Sequence, residues 1–262
     1  MTTTIAVAGK GGTGKTTVAA LLIRYIVQNR LGSVLAIDAD PSSNLNLALG
    51  VEVEQTIGAV REDALTKVQA GNMGSGITKT DFLEYGVRDA LVEEKGFDLL
   101  AMGRPEGQGC YCAANSILRH SMDRLSLGYD FVVMDNEAGL EHISRRTTRD
   151  VDALLIVSDF SQRGIVAAGR VAGLTRELKT QVKRMGLVLN RARGWTLDTL
   201  PAEVAAAARN TGVPLLAVVP DDPLLGEYDL LGKPLWDLPD DSVAWQTLSR
   251  TFATLLATST HA

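Results

Sequence analysis

The sequence is short of three things, and each shortage closes off a class of function. No apolar run approaches the ~20 residues that span a bilayer. The start, Met1 to Ile5, is polar before it turns apolar and lacks the charged and apolar leader of a secretory signal. A cytoplasmic protein with no membrane association is therefore expected. Cationic excess is missing as well. Lysine and arginine number 26 against 31 aspartates and glutamates, a net charge of −5, and a chain whose main task is gripping nucleic acid needs many more cations than anions facing the phosphates. The cluster Arg145, Arg146 and Arg149 reads instead as a solvated helix face. Cysteine is nearly absent. Cys110 and Cys112 are the two in the chain, and a disulfide across one intervening residue is strained in any compartment. A reducing environment and a metal or redox role suit the pair better.

What is present is an ordinary globular composition, 45% hydrophobic and 22% charged over 262 residues, which we read as one domain spanning 1–262. Short β-branched runs alternate with longer helical patterns: Thr4 to Ala8, Val34 to Asp38, Phe97 to Met102, Tyr129 to Asp135, Ala153 to Val157, Gly186 to Asn190 and Leu215 to Val219. That alternation predicts an α/β fold, a mostly parallel sheet with helices on both faces. Polar Asp38, Asp135 and Asn190 close three of these strands, on the edge where such sheets bind ligands. The stretch between Gly50 and Gly96 is polar and glycine-rich, and reads as a loop with short helices outside the sheet. The segment Ser242 to Ala257 reads as an amphipathic packing helix, with Arg250 its sole cation.

The first strand runs into Gly9-Lys10-Gly11-Gly12-Thr13-Gly14-Lys15-Thr16, which satisfies G-x-x-x-x-G-K-S/T in its required setting between strand and helix. Glycines at Gly11, Gly12 and Gly14 let the backbone N–H groups from there through Thr13 and Thr17 turn inward around phosphate oxygens. Lys15 reaches the β- and γ-phosphates, and the Thr16 hydroxyl is a ligand for Mg²⁺. The chain is thus expected to be a P-loop NTPase.

The extra lysine makes the loop specific. Lys10 to Thr17, K-G-G-T-G-K-T-T, resembles the deviant Walker A loop of the MinD, ParA and nitrogenase iron protein superfamily. The resemblance implies a homodimer in which Lys10 crosses the two-fold interface to the partner's nucleotide, a cation delivered to the charge that develops in phosphoryl transfer. Asp38-Ala39-Asp40-Pro41 fits the same superfamily; it implies that Asp38 lies close to Mg²⁺ and that Asp40 orients the attacking water. The strand ending in Asp135-Asn136-Glu137-Ala138-Gly139 resembles its Walker B and switch segment, which makes Asp135 a holder of Mg²⁺. In related ATPases the positions of Asn190-Arg191 and Pro220-Asp221-Asp222 flank the adenine. No N-K-x-D sequence of the guanine-reading kind occurs, so ATP is the expected nucleotide.

Two thiolates one residue apart bind one metal ion, yet a closed tetrahedral site wants four ligands. A two-fold dimer would bring four together on its axis. Two small, unliganded, partly buried cysteines remain the alternative. The segment Gly107 to Ala113, G-x-G-C-Y-C-A, taken with the phosphate loop and with D-N-E-A-G-L-E-H from Asp135, resembles the CooC-type ATPases that mature nickel-containing carbon monoxide dehydrogenase. That resemblance implies a dimer whose Cys110 and Cys112 pairs hold Zn²⁺ in tetrahedral form or Ni²⁺ in square-planar form, with ATP switching the site as nickel passes to carbon monoxide dehydrogenase or a related nickel enzyme. Two rivals stand beside it. A nitrogenase-type reductase keeps its cluster cysteines far apart in sequence, one near each switch, unlike this pair. A MinD- or ParA-type positioning or partition ATPase calls for a basic amphipathic tail or basic DNA-facing patches.

Overall fold

A strand covered on both faces must be apolar at every position, and the first strand of the chain meets that demand. In β1 (Thr3–Gly9), Ile5 and Val7 enter one core while Ala6 and Ala8 enter another, and all four are fully buried. The computed structural model describes residues 2–70, 78–104, 112–137, 150–177 and 181–257. Their elements run α1 (Lys15–Gln28), β2 (Val34–Asp38), α2 (Leu45–Leu49), α3 (Ile57–Gln69), α4 (Lys79–Asp89), β3 (Leu91–Glu94), β4 (Phe97–Ala101), α5 (Cys112–Ser126), β5 (Phe131–Asp135), β6 (Asp150–Ser158), α6 (Gln162–Glu177), β7 (Gln181–Ala192), α7 (Ala202–Asn210), β8 (Leu215–Pro220), α8 (Pro223–Leu231), a 3-10 turn (Leu235–Asp237) and α9 (Val243–Ala257).

The strands form one sheet in the order β3-β4-β2-β5-β1-β6-β7-β8, parallel throughout except for β3. Parallel neighbours need crossovers, and the helices that supply them cover both faces. One face carries α1, α2 and α9, the other α3 to α7. This is the doubly covered α/β sheet expected from the sequence, and all seven predicted strands are present. The stretch between Gly50 and Gly96 differs from expectation. It holds the 13-residue α3 and the 11-residue α4, the latter closed by a reciprocal Thr78–Asp81 capping box. It also supplies β3, which joins the sheet edge as a hairpin with β4. Four residues ending in two exposed glutamates carry no strand periodicity. Such short, charged strands are how sheets blunt their edges.

Among the described residues no helix is long and apolar enough to cross a membrane. The helix α9 buries Ala244, Trp245, Leu248, Phe252, Leu255 and Leu256 and packs on α1 and β8, so its apolar face serves the core. Arg24 fastens the two helices. Although it lies inside α1 and is 3% exposed, its guanidinium donates to the carbonyls of Leu235 (3.2 Å) and Leu238 (2.6 Å), pairs with Asp240 (2.8 Å) and lies 4.2 Å from the Trp245 ring centroid. Of these two carbonyls, that of Leu238 has no other donor among the described residues, while that of Leu235 also accepts the Leu238 N–H at 3.3 Å. Arg24→Ala is accordingly expected to cost about 3 kcal/mol of folding stability, whereas Asp240→Ala, at the 84% exposed end of the pair, costs about 0.5 kcal/mol. Urea titration of both variants measures this; equal losses would contradict the buried clamp.

Candidate nucleotide site

The phosphate loop begins where β1 can only end in glycine. Gly9 has φ 151°, and a Cβ placed on it would lie 2.1 Å from the Val157 carbonyl oxygen of the neighbouring β6. The loop then turns on its own atoms. The Thr13 hydroxyl donates to the Lys10 carbonyl at 2.8 Å, and the Lys15 ammonium, in a residue only 7% exposed, approaches the same carbonyl at 3.5 Å. Lys15 opens α1, whose first turn has neither a side-chain cap nor an acidic residue. The unpaired N–H groups and the positive end of the helix dipole are left for an anion.

Beside the loop lie two acids in register. Asp38 ends β2 and Asp135 ends β5, and the two are direct neighbours across the sheet, which sets their Cα atoms about 5 Å apart. Both are buried, at 0% and 1% exposure. Asp38 is partly compensated: its oxygens accept from the N–H of Asp40 (3.1 Å) and of Leu45 (3.0 Å). Burial still pushes its pKa up to about 6, against those two hydrogen bonds and with help from the charge of Asp40. For Asp135, neither oxygen has a hydrogen-bond partner of acceptable geometry among the described residues. Burial raises its pKa to about 7; the adjacent Thr16 hydroxyl and the Lys15 charge oppose the rise, and the charges of Asp38 and Asp40 add to it. A buried carboxylate with both oxygens orphaned fits a cation. No group of three or more His, Cys, Asp or Glu side chains able to hold a metal occurs among the described residues. The donor set of Thr16, Asp38 and Asp135 therefore suits a hard ion that completes its shell with water and phosphate oxygens, the habit of Mg²⁺.

Thr16 lines a cleft of about 1240 Å³, while Asp38 and Asp135 lie buried behind its wall. Gly11, Gly12, Gly14, Lys15, Thr16 and Thr17 form its phosphate end, with Asp40 beside them. Asp40 accepts from the Ser42 N–H at 2.8 Å, which shapes the turn after β2. Asn190, Arg191, Pro220, Asp221 and Asp222 also line it, so the structure brings the residues expected at the base to the same cleft as the loop. Two of them have other bonds as well. The Asn190 amide donates to the Thr13 carbonyl at 2.8 Å. The Asp222 carboxylate caps α8 through Leu224 N–H (3.0 Å) and accepts from the Ser242 hydroxyl (2.6 Å) and Ala244 N–H (3.1 Å) at the start of α9. It borders the cleft while its oxygens tie two helices together.

Lys10 is exposed, and the loop lining of its own cleft begins at Gly11. Cys110 lies outside the described residues, and Cys112 opens α5 with its side chain outside them too. Sequence reasoning assigned no part to Asn136, Glu137 or the far wall of Leu47, Tyr228 and Lys233. Fully buried Asn136 ties β5 to β1 through its amide and its own N–H, both donated to the Val7 carbonyl at 3.0 Å. The D-N pair at the strand end was the only signal for it. The far wall had none.

Comparison with known proteins shows the family. Residues 4–235 match the family described as the CobQ/CobB/MinD/ParA nucleotide binding domain. An uncharacterized ATP-binding protein of Methanocaldococcus jannaschii is 43% identical over 242 residues, covering 92% of this chain and 94% of that one. The carbon monoxide dehydrogenase accessory protein CooC of Rhodospirillum rubrum is 32% identical over 248 residues, 89% of either chain. Among solved structures, the septum site-determining protein MinD of Pyrococcus horikoshii in complex with Mg-ADP superposes with a TM-score of 0.68 at 25% identity, over 98% of both chains. With a family match over most of its length and a complete phosphate loop at the carboxyl edge of its sheet, the chain belongs to the CobQ/CobB/MinD/ParA nucleotide-binding family and is an ATPase.

Proposed function

We propose that this ATPase is a nucleotide-switched, homodimeric metallochaperone that assists nickel insertion into carbon monoxide dehydrogenase or a related nickel enzyme. The 32% identity with CooC across nearly the whole chain carries the reading. The cysteine pair supports it, since Cys110 and Cys112 supply half of a four-thiolate site and a second copy supplies the rest. Zn²⁺ or Ni²⁺ is the cargo such a site takes.

In this reading the backbone N–H groups of Gly11 to Thr17 and the Lys15 ammonium bind the phosphates. Thr16, Asp38 and Asp135 would hold Mg²⁺, which when bound neutralises charge on the β- and γ-phosphates. Asp40, at the cleft wall, orients the attacking water. Arg191, Pro220 and Asp221 lie beside the base. Lys10, exposed and not among the residues lining its own cleft, offers its charge to the partner's nucleotide, so that hydrolysis and dimerisation depend on each other. A MinD-like positioning role is the second reading, supported by the likeness to the Mg-ADP complex. It weighs less because α9 turns its apolar residues into the core.

Metal analysis coupled to size exclusion, on wild type and Cys110→Ala, tests the chaperone reading. The expected result is a dimer with about one Zn²⁺ or Ni²⁺ per two chains, lost in the variant; wild type devoid of metal in every oligomeric state would end the proposal. Lys10→Ala is expected to retain nucleotide binding while turnover drops by roughly 10³-fold and nucleotide no longer drives dimerisation. Unchanged turnover would remove the role across the interface.

A further inference from the structure

We infer that Asn190 is a positioning residue for the ATPase reaction: its amide locks the Thr13–Gly14 peptide so that the Gly14 N–H faces the phosphates. The inference needs only the phosphate loop and the ATPase activity, and is independent of any metal cargo.

The Thr13–Gly14 peptide would otherwise be free to turn over. Flipping a peptide plane changes ψ of the residue before it and φ of the residue after it. Gly14, at φ 92°, adopts either sign of φ at little cost. Thr13 is held at its side chain, by the hydroxyl bond to the Lys10 carbonyl, but that bond leaves the direction of its own carbonyl open. Asn190, 177 residues away in sequence, fixes it: Nδ2 donates to the Thr13 carbonyl at 2.8 Å in a buried setting. In a planar trans peptide the carbonyl and the following N–H point to opposite sides. Holding the carbonyl against β7 therefore turns the Gly14 N–H away from Asn190, at a residue that lines the cleft.

The lock is itself held. Asn190 is 6% exposed, and its Oδ1 accepts the Arg191 N–H at 3.0 Å. This leaves no ambiguity about which end of the amide meets the Thr13 carbonyl, because a carbonyl takes only a donor. Arg191 reaches that position in the left-handed region, φ 61°, an uncommon conformation for a residue with a side chain. The amide is also seated directly on the glycine, since a Cβ on Gly14 would lie 2.3 Å from Nδ2. Gly14 is thus required twice, for its φ and for the space the lock occupies.

A base-reading role and a loop-locking role separate on a ligand without a base. Calorimetry would measure the Kd of Mg·ADP and of Mg·pyrophosphate for wild type, Asn190→Ala and the isosteric Asn190→Asp, which replaces the donor with an acceptor. Partial unfolding lowers the stoichiometry and leaves Kd unchanged, so a poorly folding variant does not mimic the result. The expected outcome is a rise of about tenfold in Kd for both ligands in both variants, with the ratio between the ligands preserved. A rise confined to ADP would make Asn190 a reader of the base and overturn the inference. So would unchanged binding of both ligands, or a wild type that binds pyrophosphate no better than the variants.

Discussion

Two carboxylates buried side by side, at the ends of adjacent parallel strands, are the constraint around which this site is arranged. Register alone makes Asp38 and Asp135 neighbours, and the covered sheet keeps water from both. Charge in such a place is expensive unless something offsets it. For Asp38 the offset is internal, two backbone N–H groups from the turn that leads into α2, so the acid shapes the segment carrying Asp40. For Asp135 the Thr16 hydroxyl and the Lys15 charge offset only part of the cost: neither oxygen has a hydrogen-bond partner of acceptable geometry among the described residues, and burial leaves its pKa raised. The fold thus carries a local instability that a cation on a phosphate chain would relieve, which makes nucleotide binding and local stability two sides of one equilibrium.

The rest of the molecule holds that arrangement in place from a distance. Gly9 lets β1 pass close against β6 and start the loop. Asn136 ties the strand bearing Asp135 to β1. Asn190 reaches the loop from β7, and Asp222 joins α8 to α9 behind the cleft. On the covered face, Arg24 secures the helix that follows the phosphate loop to the 3-10 turn and α9. Each contact joins segments far apart in sequence, so the loop inherits the rigidity of the sheet.

Central strands and the phosphate loop were readable for related reasons. Parallel strands buried on both faces leave unbroken apolar runs, and acids at the ends of such runs stand out because burial there is otherwise unfavourable. Edge strand β3 was not readable, since a four-residue charged hairpin partner has neither periodicity nor apolar content. The length of α3 was hidden too, for Ile57, Val60 and Ala64 are sparse buried contacts in a polar segment. At the site, Asn190 and Asp222 line the cleft, but their bonding lay beyond reach of the sequence. A strand-terminal asparagine shows nothing of a partner 177 residues away, and a Pro-Asp-Asp turn shows nothing of the serine 20 residues on that its last aspartate receives.

The central claim, that the incompletely compensated charge of Asp135 is what the metal–nucleotide complex satisfies, is tested most directly by urea unfolding of wild type and Asp135→Asn at about pH 8, above the raised pKa, in EDTA and in Mg·ADP. In EDTA the variant should be more stable by about 1 to 3 kcal/mol, because the neutral amide removes a buried charge. In Mg·ADP the order should reverse, because only wild type gains the full stabilisation of binding. A variant less stable than wild type without metal, or one that gains as much from Mg·ADP, would contradict the account.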